Sequence, residues 1–401
     1  MPTKAKLCFE EFLGIVGAGQ YRPQRKFLRD ILLGLIVARS PILSRISLAM
    51  DPDNLETMLK RLSRNLRTNR MDDAALSDRA LDLATSLARP RSKVVAIDGG
   101  DISKKYARKM PKLAWVHDGS AQDGEPALRR GWSLVRAEAV VNSGSHIPLD
   151  QKLYSTVDES FRSVRATTED FLKRIVERMP ATTLYVADSG YDGENFRVMF
   201  NELGVDYMVR LVIAGSKGKR FVACADDDPV RLLDLAQGLE PLGRARFVRG
   251  GKPQNCELAA TSIRFTDRDT GALNIVVLRR EGKVVLVIAT TRPVTSVFEA
   301  KAAISTYMSR WAVEGAFREV KTSLGVEDVR LLRWRGITRI AFLVFIVQLF
   351  STWMVYRRHG VAVARSAPAT GPLPRRGLLE RVLRGIAHAL WWNFDLSEIA
   401  V

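Results

Sequence analysis

Two short apolar runs in this 401-residue sequence each end on a single carboxylate beside glycine. They are VVAID (94–98), followed by Gly99-Gly100, and LYVAD (184–188), followed by Ser189-Gly190. An acid that closes a β-branched run is carried on rigid backbone and has no strand face to hide in. Burying a lone carboxylate is costly unless it is paired or binds a cation. Asp98 and Asp188 on neighbouring strands would repel each other, and a divalent cation that prefers oxygen ligands, such as Mg²⁺, resolves that repulsion. A turn-forming aspartate beside glycine is the plain alternative at either position. Asp101 and Asp192 lie close by, but Asp98 and Asp188 directly end the apolar runs.

A third acid stands far downstream. Tyr307, Arg310, Glu314 and Lys321 fall at offsets that place all four within a stripe about 60° wide on one helix. Glu319 projects away from that stripe. The rest of the helix is largely apolar (Ala312, Val313, Ala316, Val320, Leu324), so burial everywhere except along the stripe is expected. An acid between two cations and a phenol differs from an ordinary solvated face, where charge pairs spread around the helix.

The elements that must carry these side chains can be read from periodicity. Residues 1–90 read as helical: an apolar stretch from Phe27 to Ala38, then Leu55, Leu59, Leu62 and Leu66 on one face behind the capping run Asp51-Pro52-Asp53-Asn54, then a helix from about Asp73 to Leu87. From Lys93 the period changes. Strands around 94–98, 132–141 and 146–154, a helix at 163–179, a strand at 184–188, a helix at 194–203 and a strand at 206–211 follow. That order is expected of an α/β fold with a ribonuclease-H-like mixed sheet. Residues 212–297 read as an inserted β-rich subdomain. One long helix is expected from Val297 to about Leu324, stopped by Gly325, and an apolar helix from Gly336 to Tyr356. A Pro-rich linker (365–376) leads to a short helix with Trp391 and Trp392, a candidate dimer contact. The resulting division is 1–90, 91–211, 212–297, 298–360 and 361–401.

Composition narrows the function. Sixty-two Lys and Arg against 44 Asp and Glu leave a net charge of +18, and a pI near 10.1 points to a polyanionic partner, most often nucleic acid. Three separated cysteines and four scattered histidines offer neither a disulfide framework nor a zinc motif. The run AFLVFIVQLFSTWMVY (341–356) is too short and too polar for a spanning helix and reads as a buried core helix. With no signal-peptide pattern at the start, a cytoplasmic, nucleoid-associated protein with no membrane partner is expected.

The segment YMSRWAVEGAFREVK (307–321) fits Tyr-x2-Arg-x3-Glu-x6-Lys, and with AIDGGDISK, LYVADSGYDG and the approach TTRPVTSVFEAKAAISTY it resembles DDE transposases of the insertion sequence four family. The likeness covers about residues 93–356. It implies that Asp98, Asp188 and Glu314 are the catalytic, metal-holding triad, with two Mg²⁺ ions and Mn²⁺ as a substitute. It implies that Tyr307, Arg310 and Lys321 contact DNA near the cleaved end, with Arg210 as a further DNA candidate and Tyr307 a positioning residue rather than a nucleophile. Arg forks onto phosphate and Lys supplies a point charge. The arginines at 61, 64, 67 and 70 look like the DNA-end region. Some members carry a base-receiving tryptophan where Leu286 stands here. The expected activity is hydrolysis at terminal inverted repeats of double-stranded DNA, then attack of the 3′-hydroxyls on target DNA, by a homodimer in the synaptic complex. A ribonuclease-H-like nuclease or junction resolvase without strand transfer, or a silent DNA-binding repressor descended from a transposase, are the rival readings.

Overall fold

The structure, a computed structural model, describes residues 2–117, 127–142, 145–214, 220–224, 228–249, 252–266, 271–357 and 383. The Pro-rich segment and the short helix expected around Trp391 and Trp392 lie outside the described residues. Five helices come first: α1 (Pro2–Val16), α2 (Arg22–Ala38), α3 (Leu43–Met50), α4 (Leu55–Arg67) and α5 (Asp73–Ala88). Pro23 is accommodated in the first turn of α2, where its missing N–H costs nothing. Next come β1 (Val94–Ser103), β2 (Ala114–His117), β3 (Leu128–Asn142), β4 (Ser145–Tyr154), α6 (Val164–Val176), β5 (Leu184–Ala187), α7 (Glu194–Glu202) and β6 (Asp206–Arg210). A β-rich stretch follows with β7 (Phe221–Ala223), β8 (Val230–Arg231), α8 (Leu232–Gly238), β9 (Gly243–Arg249), β10 (Lys252–Phe265), β11 (Leu273–Arg280) and β12 (Lys283–Thr290). The described chain closes with α9 (Val297–Ser309), α10 (Trp311–Ser323) and α11 (Trp334–Tyr356).

One large mixed sheet organises these elements, in the order β2-β3-β1-β5-β6-β12-β11-β10-β7-β8, with β4 on β3 and β9 on β10. At its centre β1, β5 and β6 run parallel, while β3 and β12 flank them antiparallel. The strands of 212–297 therefore extend the same sheet through the β12–β6 pairing rather than forming a detached one.

Helix α11 is long and apolar enough to cross a membrane, but 83% of its most apolar window is buried inside the fold. It packs on β4 and on α2, α4 and α5, so it is a core helix. Its polar residues are satisfied internally. Gln348 accepts from the buried Arg136, Ser351 donates to the Val347 carbonyl (3.0 Å), and Thr352 to that of Gln348 (3.1 Å).

Two local expectations change. Strand β1 does not end at Asp98 but runs on through Gly99-Gly100 to Ser103, with Asp98 opposite Arg136 of β3. Glycine is tolerated there because Phe317 of α10 fills the space; a Cβ on Gly100 would lie 2.9 Å from the Phe317 ring. The single helix expected over 297–324 is broken at Arg310. Tight i,i+3 bonds from Arg310 N to the Tyr307 carbonyl (3.1 Å) and from Val313 N to the Arg310 carbonyl (2.9 Å) separate α9 from α10. A capping box of Ser296 and Glu299 starts α9, and Gly325 at φ 59° follows the end of α10.

Candidate active site

Three elements bring the predicted acids to one place. Asp98 projects from the middle of β1. Asp188 directly follows β5, the parallel neighbour of β1, and its carboxylate accepts from the Gly190 N–H at 2.9 Å. Glu314 lies in the first turn of α10 and is exposed. The break at Arg310 does not scatter the stripe, because Arg310 and Glu314 remain one turn apart.

Arg310 ties Asp98 and Glu314 together. Its side chain is 5% exposed, and its guanidinium donates to Asp98 Oδ2 at 2.9 Å and to Glu314 Oε1 at 2.7 Å. Burial pushes the Asp98 carboxyl up to about 7, with Asp188 and Glu314 adding to the rise and Arg310 and the Gly99 N–H opposing it. Burial alone would lower the Arg310 pKa, but Asp98, Tyr307 and Glu314 outweigh it and hold the guanidinium above its ordinary value. Asp98 is thus close enough to both other acids to feel their charge.

The remaining predicted residues divide. Tyr307 is buried, with the Arg310 guanidinium 5.8 Å from its ring centre. Burial raises its pKa, while Arg310 and Arg210 oppose the rise. Arg210 ends β6 opposite Ile288 of β12 and is exposed. Lys321 lies further along α10 and is engaged by carboxylates of the chain itself, 3.0 Å from Glu327 and 3.5 Å from Asp101. Leu286 is buried in the same apolar cluster as Tyr307, so it presents no open stacking surface.

The alternative acids have structural partners. Asp192 is buried, accepts the Val212 N–H at 2.6 Å and binds the Arg220 guanidinium. Asp101 faces Lys321. Sequence reasoning misses one residue: Tyr191, three positions after Asp188, is buried with its hydroxyl near Gly99. Burial, followed by the charges of Asp98 and Asp188, holds its pKa well above the usual value. The only signal for it in the sequence is its place in the tight turn SGYDG.

Among the described residues, no group of three or more His, Cys, Asp or Glu side chains is placed to hold a metal ion. The donor chemistry nevertheless fits a hard divalent cation. Asp98 is a buried carboxylate destabilised by two more, and its cationic partner Arg310 is shared with Glu314.

A mixed α/β fold, two aspartates at its central strands and a strongly basic composition are the combination expected of a nucleic-acid-processing protein. Residues 89–350 match the Transposase DDE domain family, and the chain belongs to that family. Members of this family generally depend on divalent metal. The fold is also similar to that of a piggyBac transposase, solved by cryo-EM as a synaptic complex with hairpin DNA. The TM-score is 0.51 at 9% identity, over 99% of this chain and 82% of that one. At that identity the likeness concerns the fold alone. A comparison with curated proteins found no match. Family membership supports a DNA transposase.

Proposed function

We propose that the chain is a cut-and-paste transposase of the insertion sequence four type, with a ribonuclease-H-like catalytic core, and that Asp98, Asp188 and Glu314 are its catalytic carboxylates. The observation that carries this reading is that Arg310 holds Asp98 of β1 and Glu314 of α10 together while Asp98 also feels the charge of Asp188 after β5, all within the family-matched region. Residues 1–90 would serve DNA-end binding.

Asp98, Asp188 and Glu314 would hold two Mg²⁺ ions, with Mn²⁺ as a substitute. When bound, the metal would supply charge for activating water or a 3′-hydroxyl and for stabilising the leaving oxygen. The chain's own residues do the rest. Asp98 on β1 gives a fixed point, because a mid-strand side chain cannot drift. Arg310 neutralises Asp98 and Glu314 while DNA is absent and supplies a fork suited to phosphate when the carboxylates find another cation. Tyr307, packed against Arg310, orients that fork. Arg210 offers an exposed phosphate contact at the end of β6. Lys321 must leave Asp101 and Glu327 to reach DNA, so its contact is conditional on movement in this clasp.

The test uses the DNA that flanks the gene. Precut duplexes carrying its inverted repeats are incubated with the full chain, plasmid and Mg²⁺. Joined products that disappear in Glu314→Gln support the reading. Cleavage without joining assigns the chain to the nuclease class. Neither activity, with DNA binding intact, makes it a silent binder.

A further inference from the structure

Asp188 is carried by the turn after β5, not by the strand itself. Ser189–Tyr191 form a single 3₁₀ turn, capped by Asp188 at one end and by Asp192 at the other. A strand side chain is fixed by its ladder, whereas an acid just past the strand stands only as firmly as its turn. Two clamps hold this one. Toward β1, the Tyr191 hydroxyl lies 3.9 Å from where a Cβ on Gly99 would stand, and it shares a hydrogen bond with the buried Thr168 of α6. Its ring meets that of Phe196 at 4.9 Å, edge to face.

The second clamp comes from the β-rich stretch. The Asp192 carboxylate is fully buried and accepts from the Val212 N–H (2.6 Å) and from both terminal nitrogens of Arg220 (2.8 Å for Nη1). Arg220 also donates to the carbonyls of Val212 (3.0 Å) and Asp192 (3.3 Å). Phe265, in the last position of β10, packs on the clamp: the guanidinium carbon of Arg220 lies 5.6 Å from its ring centre, and that of Arg197, on α7, 3.8 Å. Strand β7 starts directly after Arg220 and pairs with the end of β10. Attachment of the stretch does not require this ion pair, because β12 already joins it to β6 and the Leu211 N–H donates to the Val287 carbonyl (2.9 Å). The charges are spent instead on the four residues after Asp188. A buried two-pronged pair has one geometry, and neither partner can drift without leaving a charge unpaired.

We propose that Asp192 and Arg220 are positioning residues for Asp188. With Phe265 they make the β-rich stretch the outer clamp of the Asp188 turn, opposite the inner clamp at Tyr191. The two clamps fix where Asp188 stands relative to Asp98, and so how well the pair holds a divalent cation. Mg²⁺ tolerates little departure from ideal ligand geometry, and groups that orient metal ligands commonly govern affinity by ten-fold or more. This rests on the reading of Asp98, Asp188 and Glu314 as the metal-holding acids, but it is tested without the reaction.

The experiment titrates the full chain with Mn²⁺, without DNA, and follows the free ion by electron paramagnetic resonance. Asp192→Asn keeps an acceptor for the Val212 N–H and removes the charge. Arg220→Met keeps an apolar contact with Phe265 and removes the donors. Each is expected to weaken Mn²⁺ binding about ten-fold or more, and Arg220→Lys should recover part of the loss. If either variant fails to fold, Phe265→Leu loosens the same clamp without stranding a charge and should weaken binding in the same direction. Arg292→Met breaks an Arg–Asp pair at the opposite end of β6, with Asp206 (3.2 Å), and should leave Mn²⁺ binding unchanged. Wild-type affinity in the folded clamp variants, with binding abolished in Asp98→Asn, would overturn this proposal and leave the catalytic reading standing. An equal loss in Arg292→Met would overturn it too, because general loosening would then suffice. Binding that survives Asp98→Asn would overturn the catalytic assignment, and this proposal with it.

Discussion

The Arg310 guanidinium lies 2.9 Å from the Asp98 carboxylate, with both side chains almost wholly buried, and the same guanidinium holds Glu314 at 2.7 Å. An acid on a strand and an acid on a helix, far apart along the chain, are thus joined through one cation. Asp98 gains by this, because burial and two neighbouring acids push its pKa up and Arg310 helps to hold the net rise to about 7.

Removing that cation should destabilise the protein in a pH-dependent way. Breaking one side of a buried pair costs about 3–5 kcal/mol. Asp98 can escape part of the cost by taking up a proton. Its folded pKa is raised above the unfolded value, so its ionised form is a burden at pH above 7 and that burden fades as pH falls toward the unfolded range. Arg310→Ala should therefore lose about 3 kcal/mol at pH 8 and clearly less at pH 6. Urea unfolding at the two pH values checks this; a larger loss at pH 6 contradicts it.

Divalent cations should stabilise the folded chain, because a ligand that binds only the native state raises its unfolding temperature. Mg²⁺ or Mn²⁺ at millimolar concentration should raise the midpoint by a few degrees. Asp98→Asn and Asp188→Asn should abolish the increment. A cation must displace the proton that Asp98 holds below about 7, so the increment should grow from pH 6 to pH 8. Scanning calorimetry with and without metal decides it, and an increment that survives in both variants would place the cation elsewhere.

Gly100 sets the height of α10 over the sheet. A Cβ there would meet the Phe317 ring at 2.9 and 3.0 Å, so the ring or the helix must give way. Phe317 is also held by the Arg136 guanidinium, 5.6 Å from its ring centre. Gly100→Ala should cost about 1–3 kcal/mol, the range for overpacking, and should reduce strand transfer because Glu314 rides on the same helix. Adding Phe317→Leu should recover stability. If Gly100→Ala is neutral in both assays, the packing does not position Glu314.

Much of this arrangement can be read from sequence, for reasons that differ by element. Asp98 and Asp188 are visible because β-branched runs and glycine mark a strand and its surroundings. Arg310 and Glu314 are visible because four residues on one helix face are neighbours wherever the helix packs. The continuation of β1 past Gly99-Gly100 is not visible, since it depends on Phe317, distant in the chain, filling the place of a side chain at Gly100. The break at Arg310 is likewise hidden: no proline or glycine marks it, and the ion pair to Asp98 is a tertiary contact. The same holds for Lys321, for which the family resemblance implies a DNA contact but whose partners here, Asp101 and Glu327, come from other elements.

The last prediction concerns Arg339, which lies in the apolar helix α11 yet spends its guanidinium on α4 and Asp73. Helix α4 ends with unmatched carbonyls, and three carbonyls at its end accept from this one side chain. Arg339→Met keeps the volume and removes every donor, so Asn65, Leu66 and Thr68 lose a charged partner and Asp73 its counter-ion. The expected loss is about 3–5 kcal/mol, and Asp73→Asn should cost less, because Asp73 is half exposed and its partner keeps the carbonyls. In hydrogen exchange, amides of α4 should lose protection in Arg339→Met while those of β1 and β5 keep it. Uniform loss across the sheet would show that Arg339 supports the whole core rather than the seat of α4.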